Sequence, residues 1–292
     1  MMQHLYDILI APFADFAFMR RALVGCVALA LGSGPVGLFL VLRRMSLTGD
    51  AMSHAVLPGA ALGFMWFGLS LPAMSMGGFI AGVVVALLAG LATRLSNLKE
   101  DANFAAFYLM ALALGVLLIS KSGNQVDLIH ILFGSVLAVD TASLILMGIV
   151  ASISLIGLAV IYRPLVLEGV DPLFLRSVGG RGGVWYIVFL MLVVANLVAG
   201  FASLGTLMSV GLMMLPAITA RLWSQSMGKM LLIAVALTLL SGVAGLLLSY
   251  HFELASGPAI IFFAGLAYIA SLIFGAVGGI VPRYLRLKHF EK

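Results

Sequence analysis

Charged residues are scarce in this 292-residue chain. Only 9% of its residues are charged and 63% are hydrophobic, and the mean hydropathy is +1.20. A soluble domain carries roughly 25% charged residues, and one globular core cannot bury this much apolar surface. The composition therefore excludes a soluble class. It predicts an all-α, polytopic bundle of transmembrane helices that forms one domain over residues 1–292.

Three other absences narrow the function. Cys26 is the single cysteine, so no intrachain disulfide can form. The chain has no GxxxxGK[ST] loop to cradle phosphates, so ATP must be bound elsewhere, and no HExxH motif. Ser53 and His54 are adjacent and point in different directions on a helix, which disfavours an intramembrane hydrolase. The net charge of +5 comes from residues that flank spans, so it does not indicate binding of nucleic acid.

Stretches long and apolar enough to cross a bilayer define the predicted spans. Nine occur, at about 22–42, 50–69, 74–93, 102–120, 136–162, 184–200, 203–222, 230–249 and 258–281. Only Phe201 and Ala202 separate 184–200 from 203–222, so a single broken unit, and eight spans, stays open. Residues 1–19 lack a basic n-region and carry Asp7 and Asp15; they are predicted to form an interfacial helix rather than a signal peptide.

Basic residues predict the orientation. With nine spans and a cytoplasmic carboxyl end, the inner segments hold thirteen of the 16 basic residues: Arg43, Arg44, Arg94, Lys99, Arg163, Arg176, Arg181, Arg221, Lys229, Arg283, Arg286, Lys288 and Lys292. The outer side keeps Arg20, Arg21 and Lys121. The excess of basic residues inside supports this orientation.

The stretch GDAMSH places Asp50 and His54 four residues apart in an apolar segment. On a helix these two side chains share one face, and charged groups within a membrane usually mark an ion path or a partner. A carboxylate and an imidazole suit zinc, manganese or ferrous iron. A second copy of the chain would supply the same pair and make four ligands, which favours zinc. The alternative is an ordinary helix start, at which Asp50 caps the first turn and pairs with His54.

Two outer segments carry candidate entrance ligands. Asp127 and His130 lie between the fourth and fifth spans, and His251 and Glu253 lie in SYHFELASGP. These residues could collect cations at the mouth of a path, although plain solvated loops explain them as well.

The inner segment at 163–183 is rich in proline and glycine around DPLFLRSVG. Asp171 is predicted to cap a short helix that has Pro172 at its first position. Leu173, Phe174 and Val178 give this helix an apolar side, which suits the docking of a soluble partner on the cytoplasmic face. An ordinary interfacial loop is the alternative.

Three stretches, VLRRMSLTGDAMSHAVLPGAALGF, EGVDPLFLRSVG and SLGTLMSVGLMMLPAITARL, resemble the permease subunit of bacterial metal-ion ABC transporters of the ABC-3 family. DLIHILFGSVLAV and SYHFELASGPAII extend the resemblance, in order, over most of the chain. His130 departs from the family, whose members often carry an uncharged residue there.

The resemblance implies a type II-importer-like permease in the bacterial cytoplasmic (inner) membrane. Its implied partners are a second copy of itself, a cytoplasmic ATP-binding subunit that hydrolyses ATP, and an extracytoplasmic metal-binding protein. The transported ion would be zinc or manganese, with iron as a further candidate. No other cofactor is expected, and a passive channel is the alternative transport class.

The resemblance also assigns residues. Asp50 and His54 match the metal pathway pair. The segment at 168–180 matches the coupling helix that docks on the ATPase, and its candidate contacts are Glu168, Asp171, Pro172, Phe174, Arg176 and Gly179.

Overall fold

The computed structural model describes residues 2–68, 70–96, 98, 100–121, 139–177 and 182–282. Helices account for nearly all of these residues, and no strand occurs within those ranges. The predicted all-α fold is therefore confirmed. Asp127, His130 and Gly179, three of the predicted site residues, lie outside the described ranges.

The helices follow one another along the chain with short connections. They are α1 (Met2–Leu9), α2 (Ala11–Asp15), α3 (Ala17–Leu42), α4 (Ser46–Ala55), α5 (Leu57–Phe67), α6 (Leu71–Leu95), α7 (Glu100–Lys121), α8 (Thr141–Val170), α9 (Pro172–Ser177), α10 (Gly182–Leu204), α11 (Thr206–Trp223), α12 (Met227–Phe252) and α13 (Ser256–Phe274).

Eight of the helices in the described part of the chain are long and apolar enough to cross a membrane: α3, α6, α7, α8, α10, α11, α12 and α13. The predicted span at 50–69 is instead two short helices, α4 and α5, which meet at Val56. Pro58 follows this joint and has no N–H to continue the helical ladder. Together, residues 46–67 reach about 33 Å at 1.5 Å per residue, which is enough to span the hydrocarbon as one broken helix.

The two weakest predicted spans are separate helices. α10 ends at Leu204 and α11 begins at Thr206, so Gly205 alone connects them. Gly205 has a φ of 90°, a conformation that glycine adopts at little cost. This single-residue turn explains why the sequence at 184–222 looks almost continuous.

α3 lies at the centre of the bundle and packs against α8, α10, α11 and α12. The hydrophobic core is built largely from α3, α10 and α11; its fully enclosed side chains include Leu38, Phe189 and Met213. α4 packs against α7 on one side and against α10 and α11 on the other. Asp50 and His54 are thus held between the α5–α7 layer and the central helices.

Candidate metal pathway

α4 is largely buried from Thr48 to Ala55, yet it carries one outward carboxylate. Thr48, Gly49, Ala51, Met52, Ser53 and Ala55 are all buried. Gly49 lies against the ends of the Met213 and Met214 side chains of α11, where a Cβ would overlap them. The Asp50 side chain, in contrast, is 62% exposed in the single chain. A bare carboxylate on a membrane helix is costly, so this position requires water, an ion or a partner.

His54 and Asp50 face each other, as their four-residue spacing predicts. His54 Nε2 lies 4.0 Å from Asp50 Oδ1, and the His54 side chain is 27% exposed. On the other side of the ring, His54 Nδ1 is buried and has no hydrogen-bond partner in the described part of the chain. The imidazole also stacks on Tyr108 of α7, with ring centroids 6.2 Å apart. The packing holds the ring, while Nε2 and the carboxylate stay available to a ligand.

A cavity of about 320 Å³ lies between α4 and α11 in front of this pair. We call it the outer cavity, because it lies beside Thr206 and Leu207 at the predicted outer end of α11. Asp50, Ser53 and His54 line one wall, and Val210 and Gly211 belong to the other. The Ser53 hydroxyl donates to the Asp50 backbone carbonyl at 2.7 Å, so it is occupied within its own helix. The candidate ion-binding groups of this cavity are therefore Asp50 and His54.

One chain does not complete a metal site. Within the described residues, no group of three or more His, Cys, Asp or Glu side chains is placed to hold a metal ion. Two ligands fall short of the four that zinc takes or the six that manganese takes. The geometry therefore calls for further ligands from water or from another chain.

The segment predicted to dock a partner has the expected local structure. α8 continues through Pro164 to Val170, past the predicted end of its span at 162. Asp171 then caps α9, since the Phe174 backbone N–H donates to Asp171 Oδ1 at 2.9 Å. Pro172 is the first residue of α9, and Arg176 lies in its last turn. The Phe174 side chain is 51% exposed, which leaves an aromatic anchor on the predicted cytoplasmic face.

Glu168 points into the protein. Its Oε2 accepts a hydrogen bond from Arg43 Nη2 at 2.8 Å, and both side chains are mostly buried. The Arg43 guanidinium also lies over the Tyr186 ring, 5.1 Å from its centroid. Glu168 thus connects the end of α8, one turn before the capped α9, to the first residue of the α3–α4 connection. In the sequence, Arg43 is recognisable only as a basic residue that follows a predicted span. Arg43 and Glu168 lie 125 residues apart in the chain, so the sequence gives no indication that they form a pair.

The remaining entrance candidates lie at the end of α12. His251 Nε2 is 3.1 Å from the Ile8 carbonyl of α1, and its ring meets Tyr250 edge-on at 5.2 Å. Glu253 is the exposed C-cap of α12, with a left-handed φ of 52°. His251 thus contacts the amino-terminal segment, but neither side chain lines the cavity at Asp50. Their role as entrance ligands stays a prediction.

Comparison with protein families places this geometry in context. Residues 15–275 match the model of the ABC 3 transport family. The chain is 32% identical over 285 residues to the manganese import system permease protein ScaB of Streptococcus parasanguinis, with 96% of this chain and 98% of that protein covered. It is 30% identical over 282 residues to the chelated iron transport system membrane protein YfeD of Yersinia pestis, with 97% and 93% covered.

Among solved structures, the fold is similar to a chain of PsaBC from Streptococcus pneumoniae, determined in complex with a Fab. The two share 30% sequence identity and a TM-score of 0.82, over 99% of this chain and 100% of that one. The resemblance that the sequence motifs indicate therefore extends to the whole three-dimensional arrangement.

Proposed function

Because this chain belongs to the ABC 3 transport family and is a metal transporter permease subunit with several membrane-spanning helices, we propose that it carries manganese inward along a path through Asp50 and His54. The observation that supports this proposal is the exposed carboxylate of Asp50, 4.0 Å from His54 Nε2, on a helix that is otherwise largely buried from Thr48 to Ala55. Asp50 offsets the loss of hydration as the ion leaves water, and His54 supplies a nitrogen that favours transition metals over calcium and magnesium.

The incomplete ligand set supports a homodimer. A second copy facing the first across the outer cavity would bring another Asp50 and His54, which raises the protein ligands from two to four. It would also cover the exposed Asp50 carboxylate, which otherwise costs on the order of 3 kcal/mol against lipid. The exposed Leu207 side chain beside this cavity would supply apolar contact around the ion.

The energy and the ion come from partners. The sequence has no phosphate-cradling loop, so we assign ATP hydrolysis to a separate cytoplasmic subunit that docks at α9. An extracytoplasmic binding protein delivers the metal, and the assembly lies in the bacterial cytoplasmic membrane. Manganese is preferred to zinc here because the relatives described above are named for manganese and iron; iron is the alternative cargo.

Uptake of radioactive manganese into vesicles that contain the permease, its ATP-binding subunit and the binding protein tests this proposal. Asp50→Asn and His54→Ala should each reduce uptake to background while expression and assembly stay normal, because each removes a ligand from both copies. Ser53→Ala is the matched control, since it changes a neighbouring cavity residue whose hydroxyl is already bonded within α4. If both ligand variants take up manganese at the wild-type rate, Asp50 and His54 form only an ion pair at the start of a helix, and the proposed path is wrong. Uptake that persists without ATP would indicate a passive channel.

A further inference from the structure

A second cavity lies on the inner side of Asp50, between α4 and α7. It has a volume of about 150 Å³, and its lining includes Thr48, Asp50, Asp101 and Tyr108. We call it the inner cavity, because Asp101 is the second residue of α7, at the predicted cytoplasmic end of that helix. Liquid water occupies about 30 Å³ per molecule, so this space is large enough for an ion with part of its hydration shell. Asp50 lines both cavities and is therefore the residue they share.

Tyr108 and His54 form the partition between the two cavities. Tyr108 lines the inner cavity, His54 lines the outer one, and their rings stack with centroids 6.2 Å apart. Asp101 and Tyr108 lie seven residues apart on α7, about two helical turns, and so share one face. The inner cavity thus extends from the His54 partition towards the start of α7.

The strongest indication of a ligand is the Thr48 hydroxyl. Thr48 is 1% exposed, and its Oγ1 is buried without a hydrogen-bond partner in the described part of the chain. Leaving a buried hydroxyl unsatisfied is unfavourable because its hydration is lost and nothing replaces it. Thr48 is the third residue of α4. Its backbone N–H donates to the Met45 carbonyl at 3.1 Å, whereas its hydroxyl bonds to no carbonyl in the described part of the chain. The inner cavity is the side from which a partner can reach it.

Asp101 is not needed to hold the start of α7. That connection is fixed by Asn103, whose Nδ2 donates to Thr93 Oγ1 at 3.0 Å and to Ser96 Oγ at 3.4 Å. The Asp101 carboxylate is exposed and makes no hydrogen bond or ion pair within the part of the chain that the structure describes. A negative charge near a helix amino terminus is favourable in itself, but that effect does not require the charge to line a cavity together with Asp50.

On these grounds we propose that Asp50, Thr48 and Asp101 form a second, oxygen-only station for the transported divalent cation, through which the ion leaves towards the cytoplasm. This inference rests on the proposed function of Asp50 and His54. The outer station offers an imidazole nitrogen and the inner one does not. Carboxylate, hydroxyl and water oxygens are ligands that suit manganese, whereas an imidazole nitrogen is a ligand that suits zinc and iron. The inner station therefore favours release of manganese and hinders ions that prefer nitrogen.

The test uses the full permease with its ATP-binding subunit and the binding protein in proteoliposomes and measures uptake of manganese and zinc. Asp101→Asn and Thr48→Val should each lower manganese uptake by about tenfold, the scale seen when a supporting residue of a metal site is lost. Zinc uptake should fall less. Manganese bound at equilibrium by the purified complex at the outer station should be retained, because Asp50 and His54 are unchanged.

Two controls isolate the station. Glu100→Gln removes the same charge from the residue next to Asp101 and should transport like the wild type. Thr48→Ser keeps the hydroxyl and should retain more manganese uptake than Thr48→Val. If Asp101→Asn behaves like Glu100→Gln, or if Thr48→Val behaves like Thr48→Ser, the inner station is wrong. Loss of equilibrium manganese binding in the Asp101 and Thr48 variants would also overturn it. Failure of the proposed function would give a different result. Either the wild type would not transport manganese, or Asp50→Asn would transport it as the wild type does.

Discussion

Asp140 caps α8 at the predicted outer end of that helix, and its carboxylate stabilises the first helical turn. Its Oδ1 accepts a hydrogen bond from the Ser143 backbone N–H at 2.8 Å. Hydrogen bonds from the Ser143 side chain and backbone hold the pKa of Asp140 below its usual range. Because the folded-state pKa is lowered, this carboxylate stabilises the fold above its unfolded-state pKa. The stabilisation is lost as the pH falls through the folded-state value.

Asp140→Ala should therefore lower the apparent melting temperature of the purified permease at neutral pH, by an amount that reflects about 1 kcal/mol for a lost helix cap. The difference from the wild type should shrink once the pH falls below the ordinary carboxyl range of about 4. Asp140→Asn is the control, because an amide still caps but does not titrate. Thermal unfolding across pH measures this, and a difference that stays constant with pH would contradict it.

The ion pair between Arg43 and Glu168 is expected to stabilise the fold. Glu168→Gln leaves Arg43 buried with a weaker acceptor, and Arg43 Nε already has no hydrogen-bond partner in the described residues. We expect a loss of about 2 kcal/mol, the scale of a hydrogen bond between charged groups. Replacing both residues, Arg43→Gln with Glu168→Gln, should cost less than the sum of the single changes. Strict additivity in thermal unfolding would show that the pair contributes nothing.

At the scale of helices, the sequence predicts most of the architecture. Apolar stretches and flanking arginines locate the long spans, and the DP dipeptide at Asp171 and Pro172 correctly marks the start of α9. Spacing alone does not reveal that α4 and α5 meet at Val56, although Pro58 and Gly59 indicate a break nearby. It also leaves α10 and α11 ambiguous, since the turn depends on the positive φ of Gly205 and not on any polar loop.

For the candidate site, too, the sequence predicts some contacts and leaves others unpredicted. Helical periodicity places Asp50 and His54 on one face without any structure, because their contact is local. The stacking of His54 on Tyr108 and the sharing of Asp50 by two cavities depend on helices distant in sequence. So does the contact of Glu168 with Arg43. Tertiary packing decides these contacts, and no pattern along the chain carries them.

α9 gives a prediction at the scale of a single element. Phe174→Asp should abolish ATP-dependent manganese uptake and weaken binding of the ATP-binding subunit, since it places a charge at the exposed aromatic anchor. Manganese binding by the purified permease should persist, because Asp50 and His54 lie on another helix. Ser177→Asp adds the same charge to an exposed residue of the same helix and should have a smaller effect. Normal uptake and partner binding by Phe174→Asp would refute docking at this helix.

Across the whole bundle, the broken helix formed by α4 and α5 gives a structural reason for placing the proposed metal path at α4. Gly59 of α5 and Gly77 of α6 approach so closely that a Cβ on either would overlap the other's backbone. This contact fixes the α5 half against α6, while the α4 half lies between α7 and α11. The joint at Val56 thus separates a tightly packed half from the half that carries the proposed ion-binding pair, which is the arrangement expected of discontinuous transporter helices.

The orientation of the bundle in the membrane can be measured directly. The excess of basic residues places the connection between α11 and α12 in the cytoplasm and the connection between α12 and α13 outside. Both turns expose a residue suitable for labelling, Ser226 and Leu254. The native Cys26 is buried and gives a low background. In intact cells, an impermeant thiol reagent should label Leu254→Cys and spare Ser226→Cys, whereas permeabilised cells should label both. The reverse pattern would put α9 outside, where no ATP-binding subunit could dock.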